Sequence, residues 1–320
     1  MNKSLSVIVP CFNEEEVIVE SYRRLQLVLS TLQLKSEIIF INDGSTDNTE
    51  SILTGFLKSD KTVKIISFSR NFGHQKAVTA GLNNCSSDMA LIIDADLQDP
   101  PELIPEMIET LEKSNAQVVY CVRKTRKGEG IFKKISAKLF YRTLNFFSEV
   151  RLPVDTGDFR LIDRTIIDEF NKLNEKGKYI RGLISWVGFK QVPFYYEREA
   201  RFAGETKYPF AKMLKLATTS LLYFSTKPLR VATTLGFISV VIALGLAIWS
   251  ILGKIIGYTH ADSGWTSLFV LIIFFGGVQL LTIGIVGAYI GNLFDEIKNR
   301  PEYIIRKKEN FEIKNDERSK

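Results

Sequence analysis

Short β-branched apolar runs alternate with amphipathic stretches in the first part of the chain, up to residue 122. The apolar runs predict strands at residues 5–9, 37–41, 63–68, 89–93 and 118–122. Apolar residues at helical spacing predict helices at residues 15–32, 46–57, 75–82 and 102–111. This alternation is typical of an α/β fold with a mostly parallel, doubly wound sheet.

Polar and acidic loops follow the predicted strands. They lie at residues 10–14, 43–47, 69–74 and 94–99 and read P-C-F-N-E, D-G-S-T-D, S-R-N-F-G-H and D-A-D-L-Q-D. Because ligands of such sheets bind beyond the carboxyl ends of the strands, we expect these loops to form one site. The first strand is not followed by G-x-G-x-x-G, which argues against a dinucleotide-binding domain.

Two long apolar runs, residues 231–253 and 265–294, contain no charged residue. Each exceeds the roughly 20 residues that a helix needs to cross a bilayer, so the sequence predicts two transmembrane helices. Lysine and arginine are concentrated outside this pair, at Lys227, Arg230, Lys298, Arg300, Arg306, Lys307 and Lys308, whereas the connecting loop holds only Lys254. The positive-inside rule then predicts an integral protein of the cell inner membrane, with the large N-terminal part and both termini in the cytoplasm. The N-terminus runs at once into a strand-like segment, so no signal peptide is predicted.

Two basic, phenylalanine-rich stretches, residues 131–150 and 210–224, have the pattern of amphipathic helices. Such helices lie in the lipid interface or pack on the protein's own core, and the pattern leaves both open. The predicted organisation is a catalytic domain at 1–206, an interfacial helix at 207–230, two transmembrane helices at 231–294 and a cytoplasmic tail at 295–320. The tail is charged from Arg306 onward and is expected to be mobile.

Charge and cysteine content argue against nucleic-acid binding, a disulfide framework and a zinc site. The net charge of +6 and the pI of about 9.0 suit an anionic membrane surface, and no nucleic-acid-binding motif accompanies them. The three cysteines have no C-x-x-C spacing, which argues against a disulfide framework and against a zinc site.

The most informative motif is Asp94-Ala95-Asp96, which closes the apolar run at 89–93. Two carboxylates beyond a buried strand suit a divalent cation that carries a diphosphate. An acidic turn that only caps the next segment is the alternative for Asp94.

Four motifs, V-P-C-F-N-E-E, N-D-G-S-T-D, R-N-F-G-H-Q-K-A and D-A-D-L-Q-D-P-P, together resemble the inverting GT-A glycosyltransferases of family two. With the two C-terminal spans, the chain resembles more closely the polyisoprenyl-phosphate glycosyltransferases, which include bactoprenol glucosyltransferases and dolichol-phosphate mannose synthases. The resemblance implies a GT-A catalytic domain joined to interfacial and transmembrane helices.

The resemblance also implies roles for residues on the donor side. Asp96 and Gln98 would be ligands of Mg²⁺ or Mn²⁺, and Asp94 would support the metal or face the ribose. The nucleoside-binding residues implied are Pro10, Asn13, Glu14 and Asp43. Arg70, Asn71 and Lys76 lie beside the next strand end, where nucleotide contact is favoured over a solvated positive face. For the second loop, the alternative is that Ser45 or Thr46 caps the following helix while Asp43 and Gly44 make the turn.

On the acceptor side, a lipid monophosphate is already ionised near pH 7, so cationic positioning matters more than a strong base. Arg201 and Lys207 lie in R-F-A-G-E-T-K, which resembles the family loop that closes over the diphosphate. Arg123 and Arg126 are further candidates for the acceptor phosphate. The motif V-D-T-G-D-F-R-L matches the region where related transferases carry a catalytic carboxylate. The resemblance implies Asp158, or else Asp155, as an acceptor-orienting group or auxiliary base, and the alternative is that either carboxylate only bonds a loop amide.

The expected activity is inverting transfer of a hexose from a nucleotide sugar, with UDP-glucose favoured, to undecaprenyl or dolichyl phosphate at the cytoplasmic leaflet. The partners are therefore the sugar donor, the lipid acceptor and the membrane, without nucleic acid. Glycine-bearing spans would also allow a homo-oligomer. A processive polysaccharide synthase is less favoured, because it usually carries Q-x-x-R-W and more spans, and a silent scaffold is disfavoured because the acidic and basic motifs are present.

Overall fold

A computed structural model describes residues 3–123, 156–197, 226–256 and 265–311. The chain divides into two compact units. The first comprises Met1–Tyr141, Val150–Pro209 and Pro301–Lys320, and the second comprises Arg142–Glu149 and Phe210–Arg300.

The first unit is built on one mixed sheet. Its described strands are β1 (Ser4–Cys11), β2 (Lys35–Asn42), β3 (Val63–Phe68), β4 (Met89–Ile92), β5 (Val118–Arg123), β6 (Thr156–Asp163), β7 (Gln191–Tyr196) and β8 (Ile305–Glu309). Their spatial order is β7-β5-β6-β4-β1-β2-β3-β8. β6 runs antiparallel to β4 and β5, β8 runs antiparallel to β3, and the other pairs are parallel. The predicted α/β fold with a mostly parallel sheet is confirmed.

Helices connect these strands. They are α1 (Ile18–Thr31), α2 (Thr49–Ser59), α3 (His74–Asn84), α4 (Ile104–Ser114), α5 (Arg164–Lys172) and α6 (Ile180–Val187), and a 3₁₀ turn at Pro101–Leu103 precedes α4. α1 buries Ile18, Leu25, Val28 and Leu29, which share one face at helical spacing. α5 begins where Asp163 caps it by accepting a hydrogen bond from the amide of Ile166 at 3.1 Å.

The core lies on both faces of the central strands. β1, β2 and β4 read as almost continuous apolar runs because helices cover a parallel sheet on both sides. α3 packs so closely on β1 that a Cβ atom on Gly81 would lie 2.4 Å from Cγ2 of Ile8. The absence of a side chain at position 81 therefore allows α3 to approach β1 this closely.

The C-terminal tail differs from expectation, because Ile305–Glu309 forms β8 on the open edge of β3. Arg306 pairs with Glu50, and the side-chain nitrogen Nδ2 of Asn310 donates to the carbonyl oxygens of Lys61 and Val63 at 2.8 and 2.7 Å. The prediction of a mobile tail from Arg306 onward is thus wrong for residues 306–309. The reason is that backbone pairing with an exposed edge orders a segment that has no apolar pattern of its own.

The second unit contains two long helices, α7 (Lys227–Ile256) and α8 (Trp265–Ile297), which pack against each other. Stretches of both, Lys227–Gly253 and Val270–Ile297, are long and apolar enough to cross a membrane. Most of their large apolar side chains are exposed, as suits helices that contact lipid. α7 begins four residues before the predicted span, and the predicted amphipathic stretches at 131–150 and 210–224 lie outside the described residues.

Candidate active site

One edge of the sheet collects the loops that carry the predicted site. The strands β1 to β5 and β7 end at this edge, and the antiparallel β6 begins there with Thr156. Residues far apart along the chain therefore meet at this edge, as the sequence predicts for the first four loops.

The first two loops are tied together by Asn13. Its amide nitrogen donates to Oγ of Ser45 at 3.0 Å, and its side-chain oxygen accepts from the amide of Thr46 at 2.8 Å. Asn13 has a φ of 54°, a conformation that asparagine tolerates better than most residues. In the next position, the amide of Glu14 donates to the hydroxyl of Thr49 at 2.9 Å, while Pro10 is buried within β1.

Ser45 and Thr46 do not cap the following helix. The residue before α2 is Asn48, whose side chain makes no capping bond, and the two hydroxyl residues bond Asn13 instead. The second loop is therefore shaped by the first loop, and Asn13 and Glu14 are held at the edge of the site.

Asp43 joins the second loop to the third. Its Oδ1 and Oδ2 accept from the amides of Phe72 and Gly73 at 2.7 and 2.9 Å, and the residue is 3% exposed. Burial raises the pKa of Asp43, and the two amide donors oppose that rise. These hydrogen bonds show that the carboxylate joins the second loop to the third. The contact with the nucleoside stays a prediction.

Gly44 lets the same two loops approach closely. Its φ is +67°, and a Cβ atom there would lie 2.4 Å from the carbonyl carbon of Arg70. Arg70 is exposed beside the ring of Phe72, with its guanidinium carbon 4.1 Å from the ring centroid. The ammonium group of Lys76 lies 6.0 Å from the same centroid, so both predicted nucleotide-binding cations flank Phe72.

The D-A-D-L-Q loop alternates between accessible and buried positions. Asp94, Asp96 and Gln98 are partly exposed, whereas Ala95 and Leu97 are buried in the core. The amide of Gln98 donates to Oδ1 of Asp96 at 3.1 Å. The three predicted metal-binding residues are thus the accessible members of the loop.

The acidic groups around Asp94 create a negative site. The pKa of Asp94 is raised to about 6. Burial is the largest cause, the carboxylates of Asp99, Asp158 and Asp96 act in the same direction, and the charge of His74 opposes them. A carboxylate in such surroundings is stabilised when a cation binds next to it.

The oxygen donors of this loop fit a hard divalent cation. Among the described residues, no group of three or more His, Cys, Asp or Glu side chains is arranged to enclose a metal ion. Mg²⁺ and Mn²⁺ prefer oxygen ligands, and Mg²⁺ in particular is commonly held by one or two carboxylates with substrate phosphates and water. Asp94 and Asp96 therefore suit an ion that arrives with a diphosphate.

Asp158, near the start of β6, is the centre of an ion-paired cluster. Its Oδ1 accepts from Nε of Arg181 at 2.7 Å, and its Oδ2 lies 3.2 Å from Nη2 of the same residue. Nε2 of His74 lies 3.0 Å from Oδ2, and the side-chain amide of Gln75 donates to Oδ2 at 3.3 Å. The same His74 nitrogen is 3.7 Å from Asp94, which connects this cluster to the acidic loop.

These contacts set the charges of both partners. Burial alone would raise the pKa of Asp158, but Arg181 and His74 hold it well below its usual range. Burial also lowers the pKa of His74, yet the charges of Asp94 and Asp158 outweigh it and raise the value to about 9. A carboxylate with so low a pKa is a weak base near pH 7, so the cluster suits orientation and charge balance better than proton abstraction.

A second buried network lies on the β5 side. The hydroxyl of Tyr196 donates to Oδ1 of Asp99 and accepts from the guanidinium of Arg123. Tyr196 and Asp99 are 4% and 1% exposed. A Cβ atom on Gly157 would lie 3.0 Å from Nη2 of Arg123, so this glycine leaves room for the guanidinium.

Four of the predicted site residues cannot be compared with this geometry. Asp155, Arg126, Arg201 and Lys207 lie outside the described residues. Their roles stay predictions, as do those of the residues that the structure does bring together.

Five residues that shape the site were not predicted from the sequence: His74, Gln75, Asp99, Arg181 and Tyr196. The first three stand inside the quoted motifs, so their position after a strand was a usable signal. Arg181 and Tyr196 follow the part of the chain whose strand–helix pattern is clear, and only the folded sheet brings them to the edge.

Comparison with known proteins decides the family. The model of glycosyl transferase family 2 matches residues 6–170, which contain the whole acidic rim of the sheet. The chain belongs to this family. Together with the mostly parallel sheet and its polar edge, membership confirms the GT-A fold that the motifs predict.

Relatives of the family 2 chain match it over nearly its full length. A protein named uncharacterized glycosyltransferase YkcC, from Bacillus subtilis (strain 168), is 47% identical over 316 residues, which cover 97% of this chain and 95% of the relative. A prophage bactoprenol glucosyl transferase homolog from Escherichia coli (strain K12) is 40% identical over 303 residues, with coverage of 95% and 98%.

Solved structures are more distant. Glucosyl-3-phosphoglycerate synthase from Mycobacterium tuberculosis, in complex with Mn²⁺, UDP-glucose and phosphoglyceric acid, shares 20% sequence identity. The TM-score is 0.44, and the match covers 69% of this chain and 78% of the synthase.

Proposed function

We propose that this family 2 glycosyltransferase transfers a hexose, with UDP-glucose as the favoured donor, to a polyisoprenyl phosphate at the cytoplasmic face of the membrane. The observation that carries the proposal is the acidic rim at Asp94 and Asp96, in a chain that also holds two helices able to span a bilayer. Full-length similarity to a prophage bactoprenol glucosyl transferase homolog supports the lipid acceptor.

On the donor side, the first three loops would hold the nucleoside and the phosphates. Asn13 and Glu14 lie at the rim and are fixed by the second loop. Arg70 and Lys76 add positive charge beside Phe72, where a diphosphate or a base would gain from it. Asp43 keeps these loops in register through the amides of Phe72 and Gly73.

A divalent cation would be held by Asp94 and Asp96, with Gln98 next to them. When bound, such an ion neutralises the negative charge that develops on a departing diphosphate. The carboxylates would hold the ion in place, and the positive charge on His74 would limit the repulsion between Asp94 and Asp158.

The reaction needs an acceptor oxygen, not a strong base. An ionised phosphate oxygen of the lipid attacks the anomeric carbon, its new bond to carbon forms, and the bond from carbon to the nucleoside diphosphate breaks. Attack from the face opposite the leaving group inverts the anomeric configuration. Asp158, fixed by Arg181, would orient the acceptor side of the site, and Arg123 would contribute positive charge for the lipid phosphate.

A transfer assay with the full-length protein tests this function. Membranes containing the protein receive radiolabelled UDP-glucose, undecaprenyl phosphate and Mg²⁺, and the organic phase is analysed for a lipid-linked sugar. We expect a chloroform-soluble, acid-labile product that carries one hexose, with the anomeric configuration opposite to that of the donor.

Two variants make the assay specific. Asp96→Asn removes a predicted metal ligand and is expected to lower the rate about a hundredfold. Asp168→Asn changes an exposed carboxylate on α5, away from the rim, and is expected to leave the rate unchanged. A polymeric product would instead support a polysaccharide synthase, and full activity of Asp96→Asn would refute the metal assignment.

A further inference from the structure

The segment that precedes β8 lies at the same edge of the sheet as the candidate active site. The amide of Ser69, just beyond β3, donates to the carbonyl oxygen of Ile304 at 3.0 Å. The ring of Tyr303 stacks on Phe68 with centroids 4.9 Å apart, and its hydroxyl accepts from Asn83 at 3.0 Å. The chain that follows α8 is therefore fixed next to the third loop of the site.

Glu302, one residue before Tyr303, forms an ion pair with Lys178. Its Oε1 lies 3.4 Å from Nζ of Lys178, and the two side chains are only 13% and 6% exposed. The ammonium group of Lys178 also lies 5.2 Å from the ring centroid of Phe170, which is fully buried. Burial raises the pKa of Glu302, and the positive charges of Lys178, Lys176 and Lys76 oppose that rise. This ion pair is thus well shielded from solvent, unlike the exposed pair of Arg306 and Glu50 on β8.

Lys178 stands at the entrance to α6, three residues before Arg181. The amide of Ile180 donates to the side-chain oxygen of Gln75 at 3.0 Å, and the other end of that side chain bonds Asp158. Nη1 of Arg181 donates to the carbonyl oxygen of Thr156 at 2.8 Å. The start of α6 is therefore held by α3 and β6 on the site side, and by the tail through Lys178.

We propose that Glu302, supplied by the C-terminal tail, is a positioning residue of the active site. It anchors Lys178 and thereby fixes the start of α6, so that Arg181 stays in place against Asp158. The role in turnover rests on the transferase function proposed above. It follows that the catalytic unit is not complete at residue 206, because the segment from Glu302 to β8 belongs to it.

Glu302 should affect turnover more than donor binding. Glu302 reaches Asp158 through Lys178 and Arg181, whereas the nucleotide loops are held by Asp43 and Asn13. Removal of the charge at position 302 should therefore lower kcat about tenfold and change the KM for the donor less than about threefold. The charge of Lys76 also acts on Glu302, so a rise in donor KM at unchanged kcat would mean that Glu302 acts through Lys76 and would overturn the proposal.

The test uses the full-length protein with Glu302→Gln, the charge-exchanged double variant Glu302→Lys with Lys178→Glu, and Arg306→Gln as the control. Arg306→Gln removes an exposed ion pair from the same tail without touching Lys178. We expect Glu302→Gln to lower kcat, the double variant to recover it to within about threefold of wild type, and the control to leave it unchanged.

A second readout does not depend on the substrate. Deuterium uptake of the backbone at residues 178–187 should rise in Glu302→Gln, should return to the wild-type level in the double variant, and should stay at that level in Arg306→Gln. Unchanged uptake in Glu302→Gln, or equal effects of Glu302→Gln and Arg306→Gln, would overturn the positioning role. If wild-type protein makes no lipid-linked sugar, the proposed function fails, while this exchange experiment still decides the proposal on Glu302.

Discussion

Arg181 forms a bidentate ion pair with Asp158, with Nε 2.7 Å from Oδ1 and Nη2 3.2 Å from Oδ2. The side chain of Asp158 is 7% exposed, and that of Arg181 is 24% exposed. This pair joins α6 to β6 at the edge where the acidic loop lies, so it links the stability of the fold to the geometry of the site.

Asp158→Asn should be strongly destabilising, because the cations of Arg181 and His74 lose their common partner in a buried position. We expect a loss of about 3–5 kcal/mol in the free energy of unfolding, measured by chemical denaturation in detergent, together with a loss of transfer activity. Asp168→Asn is the matched control. It breaks an exposed aspartate pair with Arg164, at 2.7 Å, and should cost below about 1 kcal/mol. Equal losses in the two variants would contradict the buried cluster.

His74 should stay charged well above neutral pH. Its pKa is raised to about 9 from an ordinary value of 6.5, so the stability contributed by the imidazolium is complete below pH 6.5 and is lost as the pH rises through about 9. NMR of protein labelled at histidine, recorded in EDTA, follows this directly, since the chain has only one other histidine, His260. In Asp158→Asn the midpoint should fall towards 6.5, and a midpoint near 6.5 in the wild type would contradict the cluster.

Most of the strands that form this edge are predicted correctly from the sequence. The strands predicted at 37–41, 63–68 and 89–93 match β2, β3 and β4 to within two residues at each end, because buried parallel strands are short, continuous apolar runs. The loops after them follow directly, so the place of Asp43, Asp94 and Asp96 at this edge was predicted from position, whereas their roles came from the family resemblance. β1 and β5 were likewise found from their apolar runs.

The remaining parts have no local signal. β8 reads I-R-K-K-E and is ordered by pairing with β3 and not by an apolar face. β6 is antiparallel and places Asp158 and Arg160 in the buried interior, so its polar residues hide the strand pattern. Arg181 reaches the site only through a contact with a residue 23 positions earlier, which no periodicity predicts.

Glycine positions give a test of the loop geometry. Gly44→Ala should destabilise the protein, because its φ is +67° and the added carbon would lie 2.4 Å from the backbone of Arg70. We expect the free energy of unfolding to fall by about 2 kcal/mol or more, together with weaker nucleotide binding.

Gly55→Ala is the opposite case. Nothing lies within 4 Å of the added carbon in α2, so the substitution should stabilise the protein by about 0.5–1 kcal/mol. Thermal unfolding of both variants checks the two signs together.

The buried hydroxyl of Tyr196 should matter for the acceptor side. Tyr196→Phe leaves the carboxylate of Asp99 without that donor and removes an acceptor from Arg123. We expect a loss of about 1–3 kcal/mol in stability and a rise in the KM for the lipid phosphate, with the donor KM nearly unchanged. Tyr195→Phe is the control, since Tyr195 is 57% exposed on the neighbouring position of β7. Equal stability and equal KM for the lipid phosphate in the two variants would contradict a role of Arg123 in binding the acceptor.

We propose that carboxylates at the sheet edge support departure of a nucleoside diphosphate while a lipid phosphate accepts the sugar. The most direct measurement counts both products in one reaction, with UDP and lipid-linked hexose quantified over time in the presence and absence of Mg²⁺ and of undecaprenyl phosphate. We expect one UDP for each lipid-linked hexose, with both products lost in EDTA and in Asp96→Asn. UDP release that proceeds at the full rate without the lipid phosphate, or transfer that persists in EDTA, would contradict it.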